Sequence, residues 1–324
     1  IVHSPVAGGQ VGAWEADAAL AVPGVEQVVA AGRNALAVIA GNSWQAQQGA
    51  ERLRLENAAG TGADGVDSDD LFAGYRRELE RDEAPVFRED GDALGVLAGA
   101  ESIEAEYRLP YLAHVCMEPM NCTARVANSR VELWAPTQAN SIARDVAAAP
   151  AGVEPSQVTV HTTLMGGGFG RRAEMDFVEQ AVAAAMAVPG EPVQVSWARE
   201  QDVRHDMYRP AALARLRAAL DESGRISALD YRLVTQSVVA SYFARTPTPR
   251  GGDAEGDGSM ASGASNGLVS SRTMRSAQFG LDYHVELRGT TVGHPGLPVD
   301  LHGAGNNGKG KHQPRQAPVL VAVV

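Results

Sequence analysis

The stretch Gln157-Val158-Thr159-Val160-His161-Thr162-Thr163-Leu164-Met165-Gly166-Gly167-Gly168-Phe169-Gly170-Arg171-Arg172 links a strand-like segment to a helix-like one. Its first half, up to Leu164, is rich in β-branched residues and alternates as a strand does. From Asp176 to Val188 apolar residues recur at helical spacing, at Phe177, Val178, Ala181, Val182, Ala185 and Met186. The sequence therefore predicts a strand, a glycine-rich loop and a helix that packs on a sheet.

The glycine-rich loop has the composition of a ligand-binding turn. Its four glycines leave backbone N–H groups uncovered and permit positive φ angles, so several N–H groups can point at one ligand. We expect that ligand to be oxygen-rich or negatively charged. The candidate cofactor-binding residues are Gly166, Gly167, Gly168, Phe169, Gly170 and Arg171.

Two familiar nucleotide-binding patterns do not match this loop. A P-loop requires Lys and then Ser or Thr after its last glycine, whereas Arg171 and Arg172 follow Gly170. The dinucleotide fingerprint requires a third glycine where Arg171 stands. A simple connecting turn remains as the alternative. A connector, however, would need neither Phe169 nor the paired arginines.

Size, charge and cysteine count narrow the class of protein. At 324 residues the chain is long enough for two domains. The formal net charge of −11, with 28 basic residues among 39 acidic ones, argues against nucleic acid as a partner. Apolar stretches such as Pro318 to Val324 are too short to span a membrane directly. Cys116 and Cys122 cannot form a disulfide framework or a four-cysteine metal site by themselves.

Three consecutive segments of the chain differ in predicted secondary structure and in composition. Residues 1–100 alternate short strands and helices, with one helix N-capped by Ser43 and another after Ser68. Residues 101–245 contain longer strands, and we interpret Ala211 to Leu220 as a strand because a hairpin loop follows it. Residues 246–324 are rich in Gly, Ser and Asp, so we expect a low-complexity, poorly ordered tail.

The segment from His114 to Thr123 concentrates an imidazole, two thiols, a carboxylate and an amide. A zinc site is one interpretation, but a second pair of ligands at zinc spacing is missing from the sequence. A catalytic cysteine would require an activating base that the sequence does not locate. A buried polar turn between two strands explains the composition best. The sequence therefore assigns neither metal ligands nor catalytic residues.

Two shorter patterns suggest hydrolase chemistry. Gly263-Ala264-Ser265-Asn266-Gly267 matches the nucleophile elbow, although its flanks are polar and of low complexity. In Arg204-His205-Asp206, the adjacent His and Asp would point to opposite faces of a strand. We expect both matches to be coincidental, including the one at Asp206.

Several motifs together resemble the large, molybdenum-binding subunits of the xanthine oxidase and aldehyde oxidase family. The likeness is greatest to the two-subunit bacterial type, which includes isoquinoline 1-oxidoreductase β subunits and membrane-associated aldehyde dehydrogenases. The motifs are His114-x-x-Met117-Glu118-Pro119-x-Asn121-Cys122-Thr123-Ala124, Trp134-Ala135-Pro136-Thr137-Gln138, Gly166 to Arg172, Trp197-Ala198-Arg199-Glu200-x-Asp202 and His205-Asp206-x-Tyr208-Arg209-Pro210. Their order and spacing match the family over roughly residues 1 to 240.

The resemblance implies an α+β fold, in which a small α/β hammerhead-like domain precedes part of a mixed-sheet molybdopterin-binding domain. It also implies that the glycine loop lies against a molybdenum–pterin centre, bound as molybdopterin cytosine dinucleotide. The Phe169 and Gly170 amides would then lie near the oxo ligand of that centre. The implied reaction is hydroxylation of an aldehyde or an N-heterocycle, with water as the oxygen source.

The resemblance further implies partner subunits. Electrons would leave to iron–sulfur clusters on a small [2Fe-2S] subunit, and a cytochrome c subunit is a further candidate partner. Export to the periplasm is common among similar proteins, but the sequence itself does not identify a targeting signal. Leu112 stands where xanthine oxidase relatives have a glutamine.

Family large subunits are more than twice as long as this chain, and their glutamate base belongs to a C-terminal motif that is missing here. We therefore expect a fragment, or the product of a gene disrupted by a frameshift near its end. The rival hypothesis is a non-catalytic truncated scaffold that binds no metal.

Overall fold

The computed structural model describes residues 1–62, 65–81, 86–238 and 241–242, together with the backbone of strand residues 269–276. The rest of the predicted tail lies outside the described residues, as does Ser265, the serine of the coincidental match to the nucleophile elbow.

Helices and short strands alternate through the described part of the chain. The strands are β1 (Val2–His3), β2 (Val11–Glu15), β3 (Val25–Ala30), β4 (Ala35–Ala40), β5 (Arg54–Asn57), β6 (Val86–Asp90), β7 (Ser102–Leu109), β8 (Asn121–Ala127), β9 (Arg130–Ala135), β10 (Val158–Thr162), β11 (Pro192–Ser196), β12 (Ala212–Leu220), β13 (Ile226–Gln236) and β14 (Val269–Ser276). The helices are α1 (Asp17–Leu20), α2 (Ser43–Arg52), α3 (Ser68–Leu79), α4 (Ala93–Gly99), α5 (Asn140–Ala151), α6 (Asp176–Ala187) and α7 (Arg199–Arg204). Short 3₁₀ turns occur at Pro155–Gln157 and Arg171–Ala173. Of the helices described, none combines the length and the apolar composition of a membrane span.

The chain divides into two compact units that are interleaved in sequence. Unit 1 contains residues 1–67 and 112–209, and unit 2 contains residues 68–111 and 210–244 together with β14. These units differ from the consecutive segments predicted from the sequence. The hammerhead-like domain over residues 1–100 and the partial cofactor-binding domain over residues 101–245 stay predictions. The predicted α+β class is confirmed.

In unit 1 the sheet with strand order β10-β9-β8-β11 positions the glycine loop. Strands β9 and β10 run parallel, with His161 opposite Trp134 and Thr162 opposite Ala135. Because they are parallel, both strands end at the same edge of the sheet. The segment Pro136 to Gln138, which follows β9, and the glycine loop, which follows β10, therefore begin next to each other.

Helix α6 anchors the far end of the loop in the core of unit 1. Phe177 and Val178 are fully buried in a cluster that includes Leu133 of β9 and Cys122 of β8. The predicted helix is confirmed, but Met186 is 43% exposed and lies outside its buried stripe. Packing of α6 fixes the position at which the loop must end.

Unit 2 contains a sheet with strand order β6-β14-β13-β12-β7. Strands β12 and β13 pair antiparallel, with Leu213 opposite Val234, so the prediction of a strand at Ala211 to Leu220 is confirmed. Phe72 and Leu79 of α3 pack against these two residues. The helix predicted after Ser68 is therefore an amphipathic helix on this sheet.

Two local features differ from the predictions. Asn42, rather than Ser43, caps α2, because its Oδ1 accepts a hydrogen bond from the Gln45 N–H at 3.0 Å. Strand β14 lies inside the predicted tail. Its sequence contains only Val269 and Met274 as apolar residues, so the signal that identifies a strand was missing.

A buried polar network joins β1, α6 and α7 in unit 1. The Trp197 indole N–H donates to Gln180 Oε1 at 2.8 Å, and Gln180 Nε2 lies 3.0 Å from His3 Nε2. On the other side of the ring, His3 Nδ1 lies 2.9 Å from Gln201 Oε1. Since Gln180 Oε1 already accepts a hydrogen bond, its amide donates to His3 Nε2, and the proton of His3 lies on Nδ1.

Replacing Trp197 by Phe tests this network. We expect W197F to lower the free energy of unfolding by about 1–3 kcal/mol, because Gln180 Oε1 would stay buried without a donor. Urea unfolding measures the change, and W44F provides a matched control at a ring that is 67% exposed. Equal losses for the two variants would contradict the network.

The same network makes unit 1 sensitive to acid. Burial and then the nearby His205 lower the pKa of His3 to about 3, and burial lowers the pKa of His205 to about 4. Between pH 6.5 and these values the unfolded chain binds protons that the folded chain does not, so stability falls as pH falls. We expect each ring to lower the free energy of unfolding by up to about 1.4 kcal/mol for each pH unit of acidification in this range.

The H205F variant isolates one of these contributions. Its phenyl ring can replace the imidazole that stacks on His3 at 4.4 Å, but it cannot titrate. Urea unfolding between pH 7 and pH 4 should therefore show a shallower dependence on pH than the parent chain. An unchanged dependence would contradict the assignment.

Candidate functional site

The glycine loop has an unusual backbone. Gly167, Phe169 and Gly170 have φ angles of +99°, +53° and +93°. The left-handed region suits glycine, but at Phe169 it costs about 1–3 kcal/mol and is typical of functional turns. The Phe169 side chain is 69% exposed, so burial of the ring does not offset that strain.

Three consecutive amides of the loop are free. Within the described residues, the N–H groups of Gly167, Gly168 and Phe169 donate no hydrogen bond. The flanking N–H groups are occupied, since Gly166 donates to Glu118 Oε2 at 2.9 Å and Gly170 to Gln138 Oε1 at 3.0 Å. Of the two amides that the family resemblance assigns to the cofactor, that of Phe169 is available and that of Gly170 is engaged.

The Trp134 to Gln138 motif supports the C-terminal end of the loop. The Gln138 side chain accepts from Gly170, while its backbone N–H donates to Arg172 O at 3.0 Å. The buried Thr137 hydroxyl also donates to Arg172 O, at 3.1 Å. A Cβ atom on Gly168 would lie 2.7 Å from the Gln138 amide group, so only glycine fits while this support is in place.

Arg172 and Glu118 fasten the N-terminal end of the loop. The Arg172 guanidinium is fully buried, and it donates to Gly167 O at 2.8 Å, Glu118 O at 2.7 Å and Glu118 Oε2 at 2.9 Å. The Glu118 backbone N–H donates to Gly166 O at 3.0 Å. Burial lowers the pKa of Arg172 and Glu118 counteracts this. The pair holds the Glu118 segment and the loop together.

The Arg171 side chain is buried and contacts other side chains of unit 1. Its guanidinium is 1% exposed and makes two hydrogen bonds of 2.9 Å to Asp176, the first residue of α6. Arg171 Nε also lies 2.9 Å from Asp206 Oδ1, and the guanidinium lies 5.4 Å from the centre of the Trp197 ring. We therefore assign Arg171 to positioning the loop rather than to ligand contact. The other five predicted binding residues remain candidates.

Asp206 joins the His114 segment to the loop. Its oxygens lie 3.0 and 3.1 Å from His114 Nδ1, and they also accept from the His114 backbone N–H. Burial raises the pKa of Asp206, but hydrogen bonds from His114 and the charge of Arg171 outweigh this effect and lower it overall. The expectation that the adjacent His205 and Asp206 match a hydrolase pattern only by coincidence agrees with this arrangement. The histidine partner of Asp206 is His114, 92 residues away, and not the adjacent His205.

Further contacts attach residues 112–120 to residues 197–209. Arg199 Nη2 donates to Met117 O at 2.8 Å, and the Trp197 N–H donates to Met120 O at 2.9 Å. Leu112 and Arg209 exchange backbone hydrogen bonds. The motifs that carry the family resemblance therefore meet at one place in unit 1.

The two thiols in this region are protonated and buried. Burial raises the pKa of Cys116, and it raises the pKa of Cys122 to about 12. Cys116 Sγ lies 3.6 Å from Gly168 O and so packs under the loop. Across the described residues there is no group of three or more His, Cys, Asp or Glu side chains arranged to hold a metal ion.

The G168A variant tests the support of the loop by Gln138. The added Cβ must displace the flexible end of the Gln138 side chain, which breaks the hydrogen bond from Gly170 at little cost in stability. We expect faster hydrogen exchange at the Gly170 amide with a nearly unchanged melting temperature. Gly99 has open space where its Cβ would lie, so G99A is the control. Unchanged exchange at Gly170 in G168A would contradict this account.

Comparison with known proteins supports these observations. The family model described as molybdopterin cofactor-binding domain matches residues 79–252, more than half of the 324 residues. The isoquinoline 1-oxidoreductase subunit beta of Brevundimonas diminuta is 29% identical over 252 residues, which are 74% of this chain and 32% of the relative.

Two further proteins match, one over a shorter stretch of sequence and the other at lower sequence identity. A membrane-bound aldehyde dehydrogenase [pyrroloquinoline-quinone] of Gluconacetobacter polyoxogenes is 32% identical over 147 residues, which are 45% of this chain and 19% of the relative. The crystal structure of quinoline 2-oxidoreductase from Pseudomonas putida 86 matches with a TM-score of 0.52 and 19% identity. That match covers 70% of this chain and 34% of the other.

The chain spans about a fifth to a third of the length of these curated relatives. The match to the family model nevertheless covers most of the residues that form the glycine loop and its supports. As the motifs at Glu118, Gln138 and the glycine loop predicted, the chain belongs to the molybdopterin cofactor-binding domain family of the xanthine oxidase and aldehyde oxidase type.

Proposed function

We propose that this chain supplies part of the cofactor site of a molybdenum-dependent oxidoreductase. The observation that carries the proposal is the row of free amides at Gly167, Gly168 and Phe169. Three adjacent N–H groups on a backbone with alternating φ signs favour an anion or an oxygen-rich ligand. The pterin cofactor of the matching family is such a ligand.

The donor set fits this group. The Glu118 carboxylate beside the loop is paired with Arg172, so its negative charge is compensated where an anion would bind. The Gly166 and Gly170 amides are tied to Glu118 and Gln138, so the middle of the loop is already ordered. A loop ordered before binding loses less conformational entropy when the ligand arrives.

The proposed reaction follows from the family resemblance. When bound, the molybdenum cofactor supplies hydroxylation of an aldehyde or an N-heterocycle with water as the oxygen source. The loop binds and orients that cofactor through its amides. We propose molybdopterin cytosine dinucleotide as the bound form. We also propose a small [2Fe-2S] partner subunit that receives the electrons, with a cytochrome c subunit as a further partner. Catalytic residues are not assigned.

Analysis of bound cofactor tests the proposal. The full chain, purified from a host that makes the cofactor, should contain molybdenum and pterin in proportion to protein. We expect E118Q to retain about tenfold less of both, because the loss of charge weakens the Arg172 pair that orders the loop. The matched control is E132Q, since Glu132 and Glu118 side chains are 38% and 37% exposed.

The outcomes separate the alternatives. A folded parent chain with neither molybdenum nor pterin would favour the non-catalytic scaffold. Bound pyrroloquinoline quinone in place of pterin would overturn the molybdenum assignment. Equal retention in E118Q and E132Q would show that the Glu118 pair does not order the loop.

A further inference from the structure

We propose that His114 is an additional binding residue of this site, whose Nε2 accepts a hydrogen bond from an N–H or O–H group of the ligand held by the loop. The inference rests on the proposed function and adds a second kind of recognition to it. The loop amides donate to ligand oxygens, whereas His114 would select ligands that also carry a donor.

Asp206 fixes the ring of His114 in one form. Both carboxylate oxygens lie within 3.1 Å of His114 Nδ1. The pKa of Asp206 is lowered overall, so the carboxylate is ionised and can only accept hydrogen bonds. His114 Nδ1 must therefore carry a proton, and in the neutral ring Nε2 presents its lone pair.

The second nitrogen of His114 has no competing partner. Across the described residues, Nε2 makes no hydrogen bond, although the His114 side chain is only 18% exposed. Among the described residues, Nε2 is not one of the buried side-chain atoms that lack a partner, so this nitrogen is accessible from outside the chain. The ring is thus held in place by Asp206 and remains available to a group outside the chain.

The ring is also connected to the loop by short paths. Asp206, which holds His114, is in contact with Arg171 at 2.9 Å. Two residues after His114, the thiol of Cys116 contacts Gly168 O at 3.6 Å. The first path ends at the Arg171 side chain, and the second ends at Gly168, whose own N–H is one of the three free amides. A ligand that is bound by the loop amides and carries an N–H or O–H group can therefore also donate to His114 Nε2.

Two substitutions of His114 separate ligand contact from support of the fold. In H114N the side-chain amide can still donate to Asp206, but it lacks the Nε2 acceptor. In H114A both interactions are lost. If Nε2 contacts the ligand, both variants should retain about tenfold less pterin than the parent chain, as expected for one lost hydrogen bond. If the ring only supports Asp206, H114N should retain as much pterin as the parent chain.

Sulfate serves as a second probe, because it has oxygen acceptors and no proton at neutral pH. The shifts of the Gly167 to Phe169 amides on titration with sulfate should be alike in the parent chain and in H114N. The control is H161N, since His161 is 46% exposed and lies beside Glu132 on the sheet. We expect H161N to match the parent chain in both measurements.

The results distinguish this inference from the proposed function. Pterin retained by the parent chain and equally by H114N would overturn the role of His114 alone. A parent chain that binds neither sulfate at the loop nor pterin would overturn the proposed function and this inference with it. Loss of sulfate binding in H114N would instead assign His114 to support of the loop, against the proposal.

Discussion

The buried guanidinium of Arg172 is the constraint on which the site depends. A charge removed from water requires hydrogen-bond acceptors on every side. Arg172 obtains them from Gly167, from the backbone and carboxylate of Glu118, and from Pro136. These acceptors belong to three separate segments of unit 1. Satisfying one buried side chain therefore orders the loop, the segment after His114 and the end of β9 together.

The neighbouring Arg171 serves a different set of partners. Its fork is bonded to Asp176, so the loop is fixed to the first turn of α6, where a carboxylate is also favoured by the helix dipole. Its Nε lies 2.9 Å from Asp206 Oδ1, and Asp206 in turn holds His114. With both arginines buried under the loop, the carbonyl side of the turn is engaged by the protein. Within the described residues, the N–H groups of Gly167 to Phe169 donate no hydrogen bond and so stay available to a ligand.

Local patterns made much of this arrangement predictable. The alternation before Leu164 and the helical stripe after Asp176 specify a strand and a helix, and the glycines between them specify a loop with positive φ. The roles of Glu118, Gln138 and Asp206 could not be predicted in this way. Each acts across 32 to 92 residues of sequence, and spacing along the chain carries no information about such contacts.

The roles of several residues depend on packing in three dimensions. From sequence, the four glycines leave backbone N–H groups uncovered. The structure adds that Gln138 fills the space where a Cβ atom of Gly168 would lie. The pairing of Asp206 with His114 joins residues 92 positions apart and is not apparent from the local sequence. The paired arginines argued against a simple connecting turn, and the structure shows both side chains buried inside the protein. Composition indicated the candidate segment, and packing determines which contacts each of its residues makes.

The central claim is that the amides of Gly167, Gly168 and Phe169 bind an anionic pterin cofactor. An experimental structure of the full chain loaded with molybdenum cofactor tests this most directly. We expect oxygen atoms of the cofactor within about 3.2 Å of at least two of these nitrogens. A cofactor bound elsewhere, with the three amides bonded to carbonyl groups of the protein, would contradict the account.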